Sequence, residues 1–213
     1  MNRETRIIAA KGIDDAVAVL AGGGVVAFPT ETFYGLAADA TNAAAVDRIF
    51  ALKGRSFSNP IALIIAREEE LPQLTEEITD VARKLMAAFW PGPLTLVFKA
   101  RPEVNSRLTA DTGKIGVRIS SHPVAQALAA GLGHPITATS ANLSGHPECT
   151  TAAEVRSQMG RGKSLPSGST IHILDAGTTP GGRGSTFLDL TSDPPAVLRE
   201  GAIPGSALVP FFS

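Results

Sequence analysis

The sequence contains few of the residues that mark several common kinds of site. Cys149 is the only cysteine, so no disulfide can form within the chain. The four histidines are isolated from one another, and no Cys/His cluster has the spacing of a zinc site. Intrachain disulfides and a structural zinc are therefore excluded, and we expect a protein of the reducing cytoplasm.

Neither sign of charge is in excess, and no apolar run is long. Lys and Arg number 19 against 20 Asp and Glu, which does not favour nucleic-acid binding through overall charge. The longest strongly apolar stretch, residues 61–66, is too short to span a membrane, and the acidic residue near the N-terminus does not fit a signal peptide. The motifs G-x-x-x-x-G-K-[ST], G-x-G-x-x-G after the first strand, and G-x-S-x-G are also missing.

The sequence does contain alternating strand and helix patterns. Its hydrophobic fraction of 44% allows a sizeable core, and interleaved elements predict a layered α/β domain, which we expect to be a single domain over residues 1–213. Consecutive strands without a helix between them indicate antiparallel pairs, hence a mixed sheet. The predicted strands are 5–9, 25–28, 35–40, 61–65, 94–99, 115–119, 136–139, 171–174, 186–190 and 197–199, and the predicted helices are 13–21, 42–52, 75–89, 122–130 and 151–159.

Polar groups follow several predicted strands, where open α/β sheets bind ligands. Residues 29–35 combine two threonines, a carboxylate and the only tyrosine, which suits a small polar ligand or simply a polar turn. Lys53-Gly54-Arg55 suits a phosphate, although cations at a helix C-terminus also complement its dipole, worth about 0.3–1 kcal/mol. Residues 137–145 carry hydroxyls and an amide that suit a ribose, phosphate or carboxylate, or ordinary turns and caps.

Three arginines and one cysteine need a separate interpretation. Arg118 and Arg199 interrupt apolar strands and Arg183 precedes another, and such a charge must be paired or face a cleft. An internal ion pair explains one arginine, whereas several near strand ends favour an anionic ligand. Cys149 lies close to His146 in sequence, but an incidental loop cysteine is a simpler interpretation than a nucleophile.

Seven short motifs occur in a fixed order along the chain. They are residues 24–36 (GVVAFPTETFYGL), 53–55 (KGR) with 59–60 (NP), 90–95 (WPGPLT), 116–119 (GVRI), 140–145 (SANLSG), 185–186 (ST) and 199–201 (REG). Taken together they resemble the threonylcarbamoyl-AMP synthase family, the YrdC-like domain, over nearly the whole chain. The resemblance implies a three-layer α/β (α+β) fold around a twisted mixed sheet with a concave, positively charged cleft.

The resemblance also implies an activity. Members of the family condense L-threonine with bicarbonate and transfer the carbamate to the α-phosphate of ATP, so we expect a nucleotidyltransferase that releases pyrophosphate. Mg²⁺ is expected with ATP, and no protein side chain is assigned to a metal. A tRNA-modifying transferase would then receive the adenylate and pass the threonylcarbamoyl group to an adenosine of certain tRNAs.

The resemblance further assigns individual residues. Lys53 and Arg55 are the catalytic cations that offset charge at phosphorus, and Arg118 suits the carboxylate of threonine. No general base is assigned. The ATP-binding positions are Lys53, Arg55, Asn59, Ser140, Asn142, Thr150 and Arg199, and the threonine-binding positions are Thr32, Arg118, Thr139 and Ser185.

Two other hypotheses stay open at this point. The same cationic cleft could bind double-stranded RNA or tRNA without catalysis, although the net charge of −1 argues against it. A paralogue could use serine or another small amine. Ser56 and Gly184 stand where the family often has proline, and Ile64 replaces a histidine of some relatives, so we expect no histidine contact to threonine.

Overall fold

A computed structural model describes residues 6–9, 11–54, 58–160 and 170–212 of the protein. Ten strands and six α-helices are found within these ranges. The strands are β1 (Arg6–Ala9), β2 (Val25–Pro29), β3 (Tyr34–Ala37), β4 (Ala62–Ile64), β5 (Leu94–Lys99), β6 (Lys114–Arg118), β7 (Ile136–Ser140), β8 (Thr170–Ile173), β9 (Thr186–Asp189) and β10 (Ala196–Arg199). The helices are α1 (Ile13–Ala21), α2 (Ala43–Lys53), α3 (Asp80–Phe89), α4 (Ser106–Thr109), α5 (Pro123–Leu132) and α6 (Ala152–Gly160), with short 3₁₀ segments at Glu68–Gln73, Gly205–Ala207 and Val209–Phe211.

The strands form one mixed sheet in the order β1-β8-β2-β3-β7-β4-β6-β5-β9-β10. Strand β7 joins its two halves, because it pairs antiparallel with β3 at Gly35↔Ser140 and with β4 at Ala62↔Ala138. The pairs β4/β6 and β5/β9 are parallel, whereas β9 and β10 are antiparallel. The predicted mixed sheet and the predicted antiparallel pairing of the last two strands are confirmed.

Helices cover both faces of the sheet. Leu20 of α1 and Leu128 of α5 belong to a hydrophobic cluster on one face, and Ile49 of α2 belongs to a larger cluster on the other. Side chains alternate between the two clusters along β2, so that Val25 contributes to the larger cluster and Val26 to the smaller one. A sheet buried between two helical layers confirms the predicted three-layer fold.

Most predicted elements are confirmed to within a few residues, but the predicted helix 75–89 is wrong in its first part. Helix α3 begins at Asp80, after Thr79, whose side chain accepts a hydrogen bond from the backbone N of Ala82. Thr75 instead forms a β-bridge with Ala100. Thr75 and Thr79 both precede residues that suit the first turn of a helix, but only Thr79 caps one. Thr75 is buried and pairs with the sheet instead. Within the described ranges no helix is long and apolar enough to cross a membrane.

Candidate active site

An open cleft of about 130 Å³ is lined by residues from six strands and by the turns beside them. It brings together six of the residues that the sequence assigned to ligand binding. They are Thr32, Arg118, Thr139, Ser140, Ser185 and Arg199. The strand order explains this convergence, since β7 ends beside β3 and β4, while β6, β5, β9 and β10 follow one another on the same side. Residues that are up to 167 positions apart (199 − 32) therefore face one space.

Lys53, Ser140 and Asn142 form a hydrogen-bonded group beside the cleft, which we call the Lys53 network. The Lys53 Nζ donates to Ser140 O, to Ser140 Oγ at 3.4 Å and to Asn142 Oδ1 at 3.0 Å. Ser140 Oγ donates to the same Asn142 Oδ1 at 2.7 Å, and Asn142 Nδ2 donates to His146 O at 2.6 Å. The network holds a buried ammonium, 4% exposed, next to a cleft-lining hydroxyl.

Lys53 reaches this position because it is the last residue of α2. Asn42 caps the first turn by accepting from Ala45 N at 3.1 Å, and Gly54 ends the helix with a left-handed backbone at φ 56°. Ser144 Oγ also donates to Lys53 O at 2.9 Å, which ties the end of the helix to the loop after β7. The helix end and the loop thus hold Lys53 against Ser140.

Of the assigned ATP-binding residues that the structure describes, Ser140 and Arg199 line the cleft, whereas Lys53, Asn59, Asn142 and Thr150 do not belong to its lining. Arg55 lies outside the described residues. Asn59 is exposed and immediately precedes the cleft-lining Pro60. The Thr150 hydroxyl donates to Glu154 Oε2 at 3.1 Å in the first turn of α6, and its carbonyl accepts from Thr179 N at 2.9 Å. The assigned roles of these residues stay predictions.

A second group, which we call the Arg118 cluster, consists of Arg118, Arg199, Ser185 and Thr95. Three donors converge on Ser185 Oγ: Thr95 Oγ1 at 3.0 Å, Arg199 Nη2 at 3.3 Å and Arg118 Nη1 at 3.4 Å. A serine hydroxyl has two lone pairs and one proton to donate. Three donors on one oxygen exceed its two lone pairs, so this group has more donors than acceptors.

A close approach of β9 and β10 fixes Arg199 against Ser185. Arg199 donates to Ser185 O from Nη2 at 2.9 Å and from Nε at 3.3 Å. Gly201 packs so tightly there that a Cβ would overlap the carbonyl of Gly184 and the backbone of Ser185. Thr186 Oγ1 accepts from Gly201 N at 2.9 Å and fastens the same turn.

Arg199 also rests on an aromatic ring and faces a second guanidinium. Its Cζ lies 4.5 Å from the centroid of Phe187, within the range of a cation–π contact. Burial of the guanidinium lowers the pKa of Arg199 from its ordinary value; Glu148 raises this pKa and the positive charge of Arg118 lowers it further. The residue is exposed at the surface, and its reduced pKa reflects partial desolvation of the guanidinium together with the nearby positive charge of Arg118.

Behind the cleft, Arg118 is paired with a carboxylate. Arg118 Nε lies 3.2 Å from Glu31 Oε1, and the two side chains are 7% and 10% exposed. Neither atom has a well-aligned hydrogen bond, so the attraction is that of an ion pair. Ser120 Oγ donates to the other carboxylate oxygen of Glu31. Burial lowers the pKa of nearby His122, and the charge of Glu31 raises it less.

The turn between β2 and β3 supplies the remaining wall. Thr30 Oγ1 donates to Phe33 O at 2.7 Å and lies 3.2 Å from Thr32 Oγ1, so both hydroxyls are held in the turn. Gly181 N donates to Thr32 O at 2.8 Å, and Tyr34 OH donates to Gly177 O at 2.7 Å. These two hydrogen bonds hold the segment between β8 and β9 against the turn.

Cys149 is not placed for nucleophilic chemistry. Its side chain is fully buried, and burial together with the charge of Glu154 raises its pKa to about 11, while Lys53 lowers it less. At neutral pH the group is a thiol, and the thiolate is the nucleophilic form. The simpler interpretation of an incidental cysteine agrees with this environment.

The family model described as "Sua5_yciO_yrdC: Telomere recombination" matches residues 18–201. The chain belongs to this family. A relative named threonylcarbamoyl-AMP synthase from Bacillus subtilis is 42% identical, over 90% of this chain and 54% of that protein. One with the same name from Photobacterium profundum is 36% identical, over 89% of this chain and 98% of that protein. The chain thus spans about half the length of the first relative and nearly all of the second.

Solved structures of Sua5/YciO/YrdC family members have the same fold. The crystal structure of Pyrococcus abyssi Sua5 complexed with L-threonine superposes with a TM-score of 0.87 at 38% identity, covering 97% of this chain and 61% of that one. This agreement extends the family relationship from sequence motifs to the strand arrangement that forms the cleft.

Sequence reasoning missed three residues that contact the cleft-lining side chains of Arg118, Ser185 and Arg199. Thr95 is buried and donates to Ser185, Phe187 supports Arg199, and Glu31 pairs with Arg118. Thr95 and Glu31 lie inside motifs that were noted, but their spacing along the chain carries no information about these partners. Phe187 lies in the predicted strand 186–190, and a strand pattern does not identify which cation packs on its ring.

Proposed function

We propose that this chain is an L-threonylcarbamoyladenylate synthase, a nucleotidyltransferase that uses L-threonine, bicarbonate and ATP and releases pyrophosphate. The names of the relatives and the threonine complex of Sua5 support this proposal. We expect the activity in the cytoplasm, where ATP, bicarbonate and tRNA are available. A tRNA-modifying transferase would receive the product.

One observation carries the proposal: the Arg118 cluster and the Lys53 network meet in a single cleft. The Arg118 cluster is rich in donors, since it contains two guanidiniums, and a planar guanidinium suits a carboxylate. The Lys53 network reaches the same cleft through Ser140 and holds an ammonium beside it. A small amino acid would bind by its carboxylate at the first, with phosphates at the second.

The chemistry then depends mainly on positioning and charge. The threonine amine attacks the carbon of bicarbonate, and loss of water gives a carbamate. A carbamate oxygen attacks the α-phosphorus of ATP, and the bond to the β-phosphate breaks to release pyrophosphate. Holding two reactants in line can lower the barrier by about 7–11 kcal/mol. Lys53, together with Arg55 two positions later in the sequence, would offset the charge that accumulates at phosphorus.

Mg²⁺ is proposed as part of the nucleotide substrate. Within the described residues no group of three His, Cys, Asp or Glu side chains could hold a metal ion, and Glu148 is the only carboxylate among the described residues that line the cleft. The phosphates of ATP carry Mg²⁺ with few protein ligands in many phosphoryl-transfer enzymes. We therefore assign the ion to the Mg²⁺–ATP complex.

A pyrophosphate-release assay tests the proposal. The purified chain is incubated with ATP, Mg²⁺, bicarbonate and L-threonine, and the adenylate is identified by mass spectrometry. We expect pyrophosphate only when both threonine and bicarbonate are present. Replacement of threonine by serine tests for a paralogue with another amine, since one methyl group in a pocket is worth about 1–3 kcal/mol. Pyrophosphate that does not depend on threonine would contradict the proposed function.

A further inference from the structure

Glu31 lies behind the cleft wall and is the carboxylate that pairs with Arg118. We propose that Glu31 is a positioning residue, which fixes the guanidinium of Arg118 so that its outer edge receives the carboxylate of the amino-acid substrate. This inference rests on the proposed function, because it takes the amino-acid carboxylate as the partner of Arg118. It assigns Glu31 a role through Arg118 and no contact with the substrate.

The burial of the pair supports a fixed geometry. The Arg118 and Glu31 side chains are only 7% and 10% exposed, so water screens their attraction weakly. Glu31 is itself held, because Ser120 Oγ donates to its Oε2 and Ser120 is fully buried. Ser120 Oγ in turn accepts from His122 N at 3.2 Å, at the start of α5. A chain of contacts therefore links the guanidinium to the end of a helix.

The two edges of the guanidinium have different partners. Nε faces Glu31, whereas Nη1 points to Ser185 Oγ at the cleft. Arg118 lines the cleft, and Glu31 does not belong to the lining. A guanidinium carries five N–H donors in a rigid planar fork, so that holding one edge orients the other. Glu31 thus determines which donors of Arg118 face a ligand.

Positioning and simple charge balance predict opposite results. If Glu31 acted only as a counter-charge, its neutralisation would leave Arg118 more strongly positive in its surroundings and would tighten carboxylate binding. If Glu31 orients Arg118, the unpaired guanidinium turns toward other acceptors and carboxylate binding weakens. We expect the second result, because Arg118 is buried and Ser185 Oγ already lies 3.4 Å from its Nη1.

The primary test compares Glu31→Gln and Glu31→Asp with the unmodified chain. Glu31→Gln keeps the shape and removes the charge, and we expect the KM for L-threonine to rise about tenfold while the KM for ATP changes less than twofold. Glu31→Asp keeps the charge and should recover part of the loss. Thermal melting establishes that each variant is folded, and calorimetric titration with L-threonine gives Kd for the same variants independently of turnover.

A double-mutant cycle separates positioning from a general structural effect. In an Arg118→Gln background, Glu31→Gln should change the threonine KM or Kd less than twofold, since coupled residues do not contribute independently. Asp189→Asn is the matched control, because Asp189 is a buried carboxylate that pairs with Lys114 at 2.9 Å at the far end of β9. That variant should lose stability and keep its threonine KM.

The outcomes distinguish this inference from the proposed function. If the unmodified chain binds and uses threonine but Glu31→Gln binds it equally or more tightly, the positioning role is wrong and the function stands. If Glu31→Gln weakens threonine binding equally in the unmodified chain and in the Arg118→Gln background, the positioning role is also wrong. If the unmodified chain binds threonine without forming the adenylate, the Kd series still decides the role of Glu31. Failure of the unmodified chain to bind threonine would overturn both.

Discussion

The Lys53 network and the Arg118 cluster border the same cleft but differ in how their hydrogen-bond donors and acceptors are matched. In the Lys53 network an ammonium is surrounded by oxygens of Ser140 and Asn142, so donors and acceptors are matched within the protein. In the Arg118 cluster three donors share one hydroxyl oxygen of Ser185. The first group is internally balanced, and the second has more donors than acceptors.

This difference predicts which group can bind its substrate without first breaking hydrogen bonds within the protein. A carboxylate can bind at the Arg118 cluster without breaking strong contacts, because it supplies the acceptors that are short there. A phosphate that approaches Lys53 has to compete with Ser140 and Asn142 for the ammonium protons. We therefore expect the amino acid to meet a preorganised site and the nucleotide to require some rearrangement of the Lys53 network.

The largest effect is expected from Lys53→Ala, which breaks the balanced group. Loss of the ammonium removes charge stabilisation in the transition state and leaves Asn142 Oδ1 with one donor fewer. We expect threonine-dependent pyrophosphate release to fall at least tenfold, about 1.4 kcal/mol or more in barrier, with little change in the Kd for threonine. Lys84→Ala on the exposed side of α3 is the control. Unchanged turnover in Lys53→Ala would refute the catalytic role.

A smaller effect is expected from Gly201→Ala, which disturbs the donor-rich group. A methyl group at this position collides with the backbone of Gly184 and Ser185, so it should move Ser185 away from Arg199. We expect the threonine KM to rise three- to tenfold and the melting temperature to fall, because overpacking costs about 1–3 kcal/mol. Gly12→Ala is the matched control, since a Cβ there meets no atom within 4 Å. Equal KM values in the two variants would contradict the close-approach argument.

The smallest effect on turnover is expected at Cys149, which lies behind the Lys53 network. Cys149→Ser should change turnover less than twofold, since the protein keeps this group protonated at neutral pH. The pKa is raised from 9.0 to about 11, so the resulting stability is present below pH 9 and is lost as the pH rises to 11.

Alkylation kinetics and pH-dependent unfolding measure this pKa. In the folded chain the rate of alkylation at Cys149 should increase only as the pH approaches 11. Lys53→Ala should shift the pH dependence of alkylation to a higher pH, because Lys53 lowers the pKa of this thiol. A profile centred near 9.0, the value from which this pKa is raised, would contradict the buried environment.

Local patterns in the sequence predicted most of the fold, and the exceptions have physical causes. The predicted helix 42–52 is confirmed, with Asn42 as its N-cap, because capping depends on residues three positions apart. Thr75 also has a residue type that caps helices, but it forms a β-bridge with Ala100, which lies 25 residues away (100 − 75). A long-range contact of this kind leaves no mark in a local pattern.

The candidate site was predictable through motifs rather than through geometry. The resemblance selected Arg118, Ser185 and Arg199, and the structure brings them into one cleft. It could not give the partner of Arg118, since Glu31 and Arg118 meet only because β2 and β6 lie in one sheet. Thr150 shows the opposite case, in which a residue assigned to ATP donates its hydroxyl to Glu154 at a helix start.

The crowded hydroxyl of Ser185 has a practical consequence for handling the protein. A wall with surplus N–H and O–H groups attracts any small oxyanion, so sulfate, acetate or citrate from a buffer should compete with the substrate. For the same reason, inhibitor fragments for this wall should carry a sulfonate, a tetrazole or another anionic acceptor. Fragments that present an amine to Ser185 should be rejected.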